Sequence, residues 1–129
     1  MNARSEDFWP ELTRSIIGSA ITVHKRLGPG LLESVYRACL LKQLEADGLA
    51  ARNEVPIPLR YGGVTMPCSF RADIIVEERV LLELKSVEAL TDVHQAQILS
   101  YLQQTGLRVG LLMNFNVTRL VNGIRRFVR

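Results

Sequence analysis

Three charges interrupt an otherwise apolar run between Arg71 and Lys85. Asp73 lies on one side of a charged patch, and Glu83 and Lys85 lie on the other. Two carboxylates and one ammonium brought to a point could hold a divalent cation and act on a phosphate ester. Oxygen donors suit Mg²⁺ or Mn²⁺, and the carbonyl of residue 84 can add a main-chain ligand. Such a cation lowers the pKa of a bound water and polarises phosphorus, while Lys85 neutralises a phosphate or steers the water. The competing reading is a buried salt-bridge network. Burying three charges for stability alone gains little, because apolar replacements often do as well.

Whether the charges meet depends on register. Ile74–Val76 and Val80–Leu82 are β-branched or aliphatic, as strands prefer, and Glu77-Glu78-Arg79 reads as a turn. A hairpin centred on residue 78 sets Asp73 opposite Glu83 and Arg71 opposite Lys85, with opposed Cβ atoms roughly 4.5–5.5 Å apart. Lys85, two residues beyond Glu83, shares its face. A two-residue turn would shift the register by one and split the carboxylates, so an odd-length turn is expected.

The elements that must carry this hairpin follow from periodicity. Leu12, Ile16, Ile17, Ala20, Val23 and Leu27 predict a helix over 11–27, opened by Pro10 and stopped by Gly28-Pro29-Gly30. His24, near its end, is either a ligand or a capping and packing residue. A second helix is predicted over 31–47, with Leu32, Val35, Tyr36, Cys39, Leu40 and Leu44 as its buried stripe. Glu33 falls in its first turn, where the helix dipole alone favours a carboxylate. Residues 54–61 alternate apolar side chains with prolines, which predicts an edge strand. The hairpin arms span 65–76 and 80–87, the second apolar on both faces and therefore central. A third helix is predicted over 90–105. Leu90, Val93, Ala96, Gln97, Ser100, Tyr101 and Gln104 share one side, while Ile98, Leu99 and Leu102 lie elsewhere, so the helix is expected to be covered on more than one side. Residues 109–114 read as a buried strand and 117–128 as a last strand-like segment. This order predicts an α/β fold with a mixed central sheet flanked by helices.

The chain has 129 residues, 47% hydrophobic and 22% charged, which predicts one soluble domain over 1–129 with residues 1–9 frayed. No apolar run approaches the ~20 residues of a membrane span, and the N-terminus lacks a secretory core, so a cytoplasmic location is expected. Two cysteines fit a reduced compartment, and no Cys/His spacing suggests zinc. A net charge of +3 permits nucleic-acid binding without demanding it. Arg119, Arg125 and Arg126 have no acidic neighbours after residue 92. They form either a solvated face or, with Arg71, a phosphate-contacting patch.

Asp73…Glu83-Leu84-Lys85 resembles the D…(D/E)xK signature of the PD-(D/E)XK nuclease superfamily, with Ala72 where the signature has proline. Gln97-x-x-x-Tyr101 is similar to the QxxxY element of the RecB and lambda-exonuclease-like branch. Gly30-Leu31-Leu32-Glu33-Ser34-Val35-Tyr36 resembles the signature of the GxxExxY family, a set of predicted nucleases. Val23-His24, Leu27 to Gly30, His94 and Asn114-Phe115 extend the likeness over about residues 14–127. Each motif is weak singly; together and in order they are specific. The resemblance implies a restriction-endonuclease-like core and a Mg²⁺- or Mn²⁺-dependent nuclease acting on DNA, with RNA as the other substrate. It implies Asp73 and Glu83 as metal ligands, with Glu33 as a further ligand or water-mediated partner. Lys85 would orient the water, Gln97 would orient Lys85 or the substrate, and Tyr101, Tyr36 and His94 would support the site, though packing or solvated roles fit those three equally. The alternative is an inactive binding or assembly module on the same fold. So small a chain leaves little room for recognition elements, and a partner subunit or homodimer joined through an edge strand would supply them.

Overall fold

The computed structural model describes residues 8–129, so the fraying expected of the N-terminus falls largely outside the described residues. Helix α1, Pro10–Leu27, starts at the predicted proline, whose missing N–H costs nothing in a first turn. It buries Ile16, Ala20 and Val23. Helix α2, Glu33–Ala46, buries Tyr36, Leu40 and Leu44. Two residues expected on its stripe are not inside. Leu32 is 73% exposed because it is the extended N-cap residue rather than part of the helix, and Val35 sits on the flank at 38%.

The strands are β1, Ala51–Tyr61; β2, Val64–Val76; β3, Val80–Lys85; β4, Val109–Asn114; and β5, Ile124–Val128, with α3, Asp92–Thr105, between β3 and β4. They form one five-stranded sheet in the order β1-β2-β3-β4-β5. β3 and β4 run parallel and the other neighbours antiparallel, so the sheet is mixed, as expected. Helix α3 makes the crossover that a parallel pair requires. β1 is an edge strand, as its prolines suggested, and the central β3 is buried along nearly its whole length. Only the end of the predicted 117–128 segment is a strand. Leu120–Gly123 instead closes a 3-10 turn, with the Asn122 N–H donating to Arg119 O at 3.0 Å.

Helices α1 and α2 cover one face of the sheet and α3 the other. The first core gathers Ile16, Leu40 and Leu44 onto Leu82, Leu84, Leu111 and Met113. The second gathers Ile98, Tyr101 and Leu102 onto Ile57, Ile75, Leu81 and Leu112. Helix α3 packs through that one side only. The expected cover on more than one side is not found: Val93 is 76% exposed, and Leu99 is 43% exposed. Gly110 lets α3 come close: a Cβ there would stand 2.9 Å from Ile98 Cδ1. On the other face, the His24 imidazole is buried and its Nε2–H donates to the carbonyls of Phe115 at 3.1 Å and Val117 at 2.8 Å. It has the packing role.

The hairpin register is the predicted one. Val76 pairs with Val80, Ile75 with Leu81 and Ile74 with Leu82, leaving a three-residue turn centred on Glu78. Glu77 and Glu78 both adopt left-handed backbone, φ 53° and 54°. The ladder stops at Ile74–Leu82, and Arg71 pairs instead with Pro56 of β1. The expected Arg71–Lys85 opposition does not form, because β2 leaves β3 at Asp73.

Candidate active site

Asp73 occupies that point of departure, and side chains replace the backbone ladder there. The Asp73 N–H donates to Glu83 Oε1 at 3.1 Å, and the Leu84 N–H donates to Asp73 Oδ2 at 2.7 Å. Backbone donors left by the splitting strands thus end on carboxylates, which satisfies groups that would otherwise be stranded. Glu83 is only 4% exposed. Burial, and next the charge of Asp73, push its carboxyl up to about 8. Burial also raises Asp73, against the opposing Leu84 hydrogen bond and the charges of Arg37 and Lys85.

Three elements bring further side chains to this pair. From β3, the partly buried Lys85 lies close enough for its charge to favour ionisation of both carboxyls. From the start of α2, Glu33 adds negative charge that disfavours it. Glu33 Oε2 accepts the Ser86 N–H at 3.3 Å, and Ser86 Oγ donates to Leu31 O at 2.6 Å, tying the end of β3 to the α2 entrance. From α3, Tyr101 feels Glu83: its hydroxyl is raised first by burial and then by that carboxylate. Gln97 Nε2 donates to Tyr101 Oη at 3.1 Å. Glu33, Asp73, Glu83, Lys85, Gln97 and Tyr101 are therefore neighbours.

The remaining predicted residues stand elsewhere or do other work. Tyr36 is fully buried, stacked on Phe115 at 4.6 Å. Its hydroxyl donates to Gly28 O at 2.6 Å and accepts the Leu31 N–H at 3.1 Å, so it shapes the loop that delivers Glu33. His94 Nδ1 accepts the Thr91 N–H, while Thr91 Oγ1 accepts the His94 N–H, a capping box that turns the imidazole to the helix end. Arg125 and Arg126 lie on β5, two strands away from β3. The Arg126 guanidinium donates to Phe8 O at 2.7 Å and Arg125 donates to Asn122 O at 3.4 Å. Arg119 lines a hollow with Ile21, His24 and Lys25 on the α1 side, and Arg71 is exposed on β2.

Two side chains that sequence reasoning missed adjoin the pair. Arg37 Nη1 is 3.9 Å from Asp73 Oδ1, and its Nη2 is 3.6 Å from Glu54 Oε1. Arg37 lies four residues after Glu33, hence on the same helix face, and that spacing was a usable signal. Glu54 gave none, since it stands at the head of an alternating strand.

The donor chemistry fits a hard divalent cation: two adjacent carboxylates, Glu83 buried and Asp73 partly so, with Glu83 made harder to ionise by the charge of Asp73. Among the described residues, no group of three or more His, Cys, Asp or Glu side chains is drawn together tightly enough to hold an ion, so Glu33 stands back from the pair.

A sequence model of the PD-(D/E)XK nuclease superfamily matches residues 10–127, and the chain belongs to that superfamily. The mixed sheet and the helices on both faces agree with its fold. No curated protein and no solved structure matches the chain. No helix among the described residues is long and apolar enough to cross a membrane.

Proposed function

We propose that this member of the superfamily is a divalent-metal-dependent nuclease that takes Mg²⁺ or Mn²⁺ and hydrolyses phosphodiester bonds, of DNA in preference to RNA. We further assign it to the GxxExxY branch on residues Gly30 to Tyr36. The observation that carries this reading is the Asp73–Glu83 pair, Glu83 buried and Asp73 partly so, cross-linked through the Asp73 and Leu84 N–H groups where β2 and β3 part. Structural economy does not account for two like charges placed there.

Asp73 and Glu83 hold the cation, with Glu33 reaching it directly or through water. When bound, the cation supplies positive charge against the charge that develops on the phosphoryl oxygens. Lys85 orients the attacking water and takes part in neutralising the phosphate. Gln97 and Tyr101 fix the wall that α3 presents to the substrate. The domain spans 1–129 and works in the cytoplasm, as a homodimer or with a partner subunit that extends the small binding surface along an edge strand.

One observation favours a second reading. Asp73 Oδ2 is already engaged by the Leu84 N–H, and Glu33 stands back from the pair, as suits a nucleic-acid-binding or assembly module that keeps the fold without turnover. Incubation with single- and double-stranded DNA and RNA in Mg²⁺ or Mn²⁺, beside Asp73→Ala and Lys85→Ala, separates the two. The nuclease cleaves at least one substrate and both variants lose it. The binding module retains substrate and cleaves none.

A further inference from the structure

We propose that Arg37 is a positioning residue of the acidic site, a built-in counter-cation shared between Asp73 and Glu54 that a divalent ion must displace from Asp73. This rests on the metal-site reading above and adds two residues to it.

Four observations converge. The guanidinium stands 3.9 Å from Asp73 Oδ1 and 3.6 Å from Glu54 Oε1. Neither distance is a close hydrogen bond, so the cation is held between two anions without being locked to either. The Arg37 side chain is 22% exposed, deep enough for its charge to count and open enough to move. Arg37 also lies four residues after Glu33, on the face of α2 that meets Asp73. Finally, Glu54 is held in an unusual backbone. The β1–β2 ladder pairs Asn53 with Ile74 and Val55 with Ala72, and skips the step between, where Glu54 faces Asp73. Glu54 there has φ 46°, a left-handed conformation that a non-glycine residue adopts only when its surroundings enforce it. The one left-handed residue of β1 is thus the one whose carboxylate lies beside Arg37.

Electrostatics gives the consequence. Asp73 without a cation is stabilised by Arg37. A divalent ion on Asp73 would stand a few ångströms from the same guanidinium, and the two repel. Glu54 offsets that repulsion by keeping the guanidinium on its own side. Arg37 therefore weakens cation binding while ordering the empty site, and Glu54 acts through Arg37 rather than as a ligand.

The test is calorimetric titration of Mn²⁺ into the full-length protein, Arg37→Gln, Arg37→Lys, Glu54→Gln and the Arg37→Gln/Glu54→Gln double variant, with thermal melts to confirm folding. Arg37→Gln binds Mn²⁺ about tenfold more tightly, the size expected when one unit charge is removed near a divalent ion in a partly wet site. Arg37→Lys, which keeps the charge and loses the planar fork, stays near the parent. Glu54→Gln binds more weakly, yet the same change in the Arg37→Gln background has less than a twofold effect. A purely structural Arg37 would make Arg37→Gln weaker and leave Arg37→Lys unrescued; that result, or an additive Glu54→Gln, overturns the proposal. If the parent binds Mn²⁺ but the variants do not follow this order, the inference fails and the metal site stands. If neither the parent nor Arg37→Gln binds it, both fail.

Discussion

Asp73 and Glu83 are each tied to the other's strand: the Asp73 N–H ends on Glu83 Oε1, and the Leu84 N–H ends on Asp73 Oδ2. The pair is thereby fixed by main-chain donors of two different strands, so its geometry does not depend on flexible side chains of a distant element. The same burial that fixes it makes its double ionisation costly, and the first prediction follows from that cost.

Glu83 has its carboxyl raised from the ordinary 4.5 to about 8. A raised acid binds its proton more tightly in the folded state, so the folded form carries more protons between these values. Stability is then full below about 4.5 and falls as pH rises through the folded pKa. In metal-free buffer the loss between pH 5 and pH 8.5 is on the order of 3–5 kcal/mol for this group, read as a falling melting temperature. Glu83→Gln should flatten the slope. A melting temperature that rises over this range in the parent would show that Glu83 is not the buried, proton-holding group described.

Glu83→Gln should also keep the fold and lose the cation. Gln retains the volume and removes a charge that nothing nearby fully neutralises, so the variant at pH 8 melts at or above the parent temperature. Mn²⁺ affinity should drop at least tenfold, since a neutral amide oxygen is a poor substitute for a carboxylate on a hard divalent ion. Large destabilisation in metal-free buffer would instead mark Glu83 as half of a structural salt bridge.

Tyr36→Phe isolates the loop before α2. The ring and its stacking on Phe115 remain, while the hydroxyl that bridges Gly28 O and Leu31 N–H is removed. The expected loss is about 1–2 kcal/mol in urea unfolding, the usual cost of stranding buried polar partners. An unchanged unfolding midpoint would mean that the 28–31 loop is held by Ser86 and Leu31 alone.

Much of this site was legible in the sequence because a strand has a period of two. Once Glu77-Glu78-Arg79 is read as a three-residue turn, residue 78 is the centre and Asp73 must face Glu83; the observed pairs Val76–Val80 and Ile75–Leu81 follow the same arithmetic. The same arithmetic would set Arg71 opposite Lys85, but it assumes an unbroken ladder, and the backbone pairing of β2 with β3 ends at Ile74–Leu82. Helical faces were harder to read. Leu32 was placed on a buried stripe by spacing from Tyr36, but spacing does not reveal that the helix begins at Glu33 and leaves Leu32 extended. On α3, Val93 shares by spacing the side that carries Gln97 and Tyr101, yet it is 76% exposed while Tyr101 is buried. Arg37 shows its helix face by its spacing from Glu33, but Glu54 gave no signal: it meets Arg37 through left-handed backbone at that one residue of β1, and no local pattern in residues 51–55 encodes it.

The central claim is that the Asp73–Glu83–Lys85 group turns over phosphodiesters with a divalent cation. The most direct measurement is the initial rate of cleavage of an end-labelled DNA by the parent and by Lys85→Ala, each in Mg²⁺ and in EDTA. Cleavage is expected from the parent only in Mg²⁺, with a fall of about 10²–10³-fold in Lys85→Ala, the usual loss when one preorganised group is removed from such a site. Equal rates for parent and variant, or a parent inert in Mg²⁺, would contradict it.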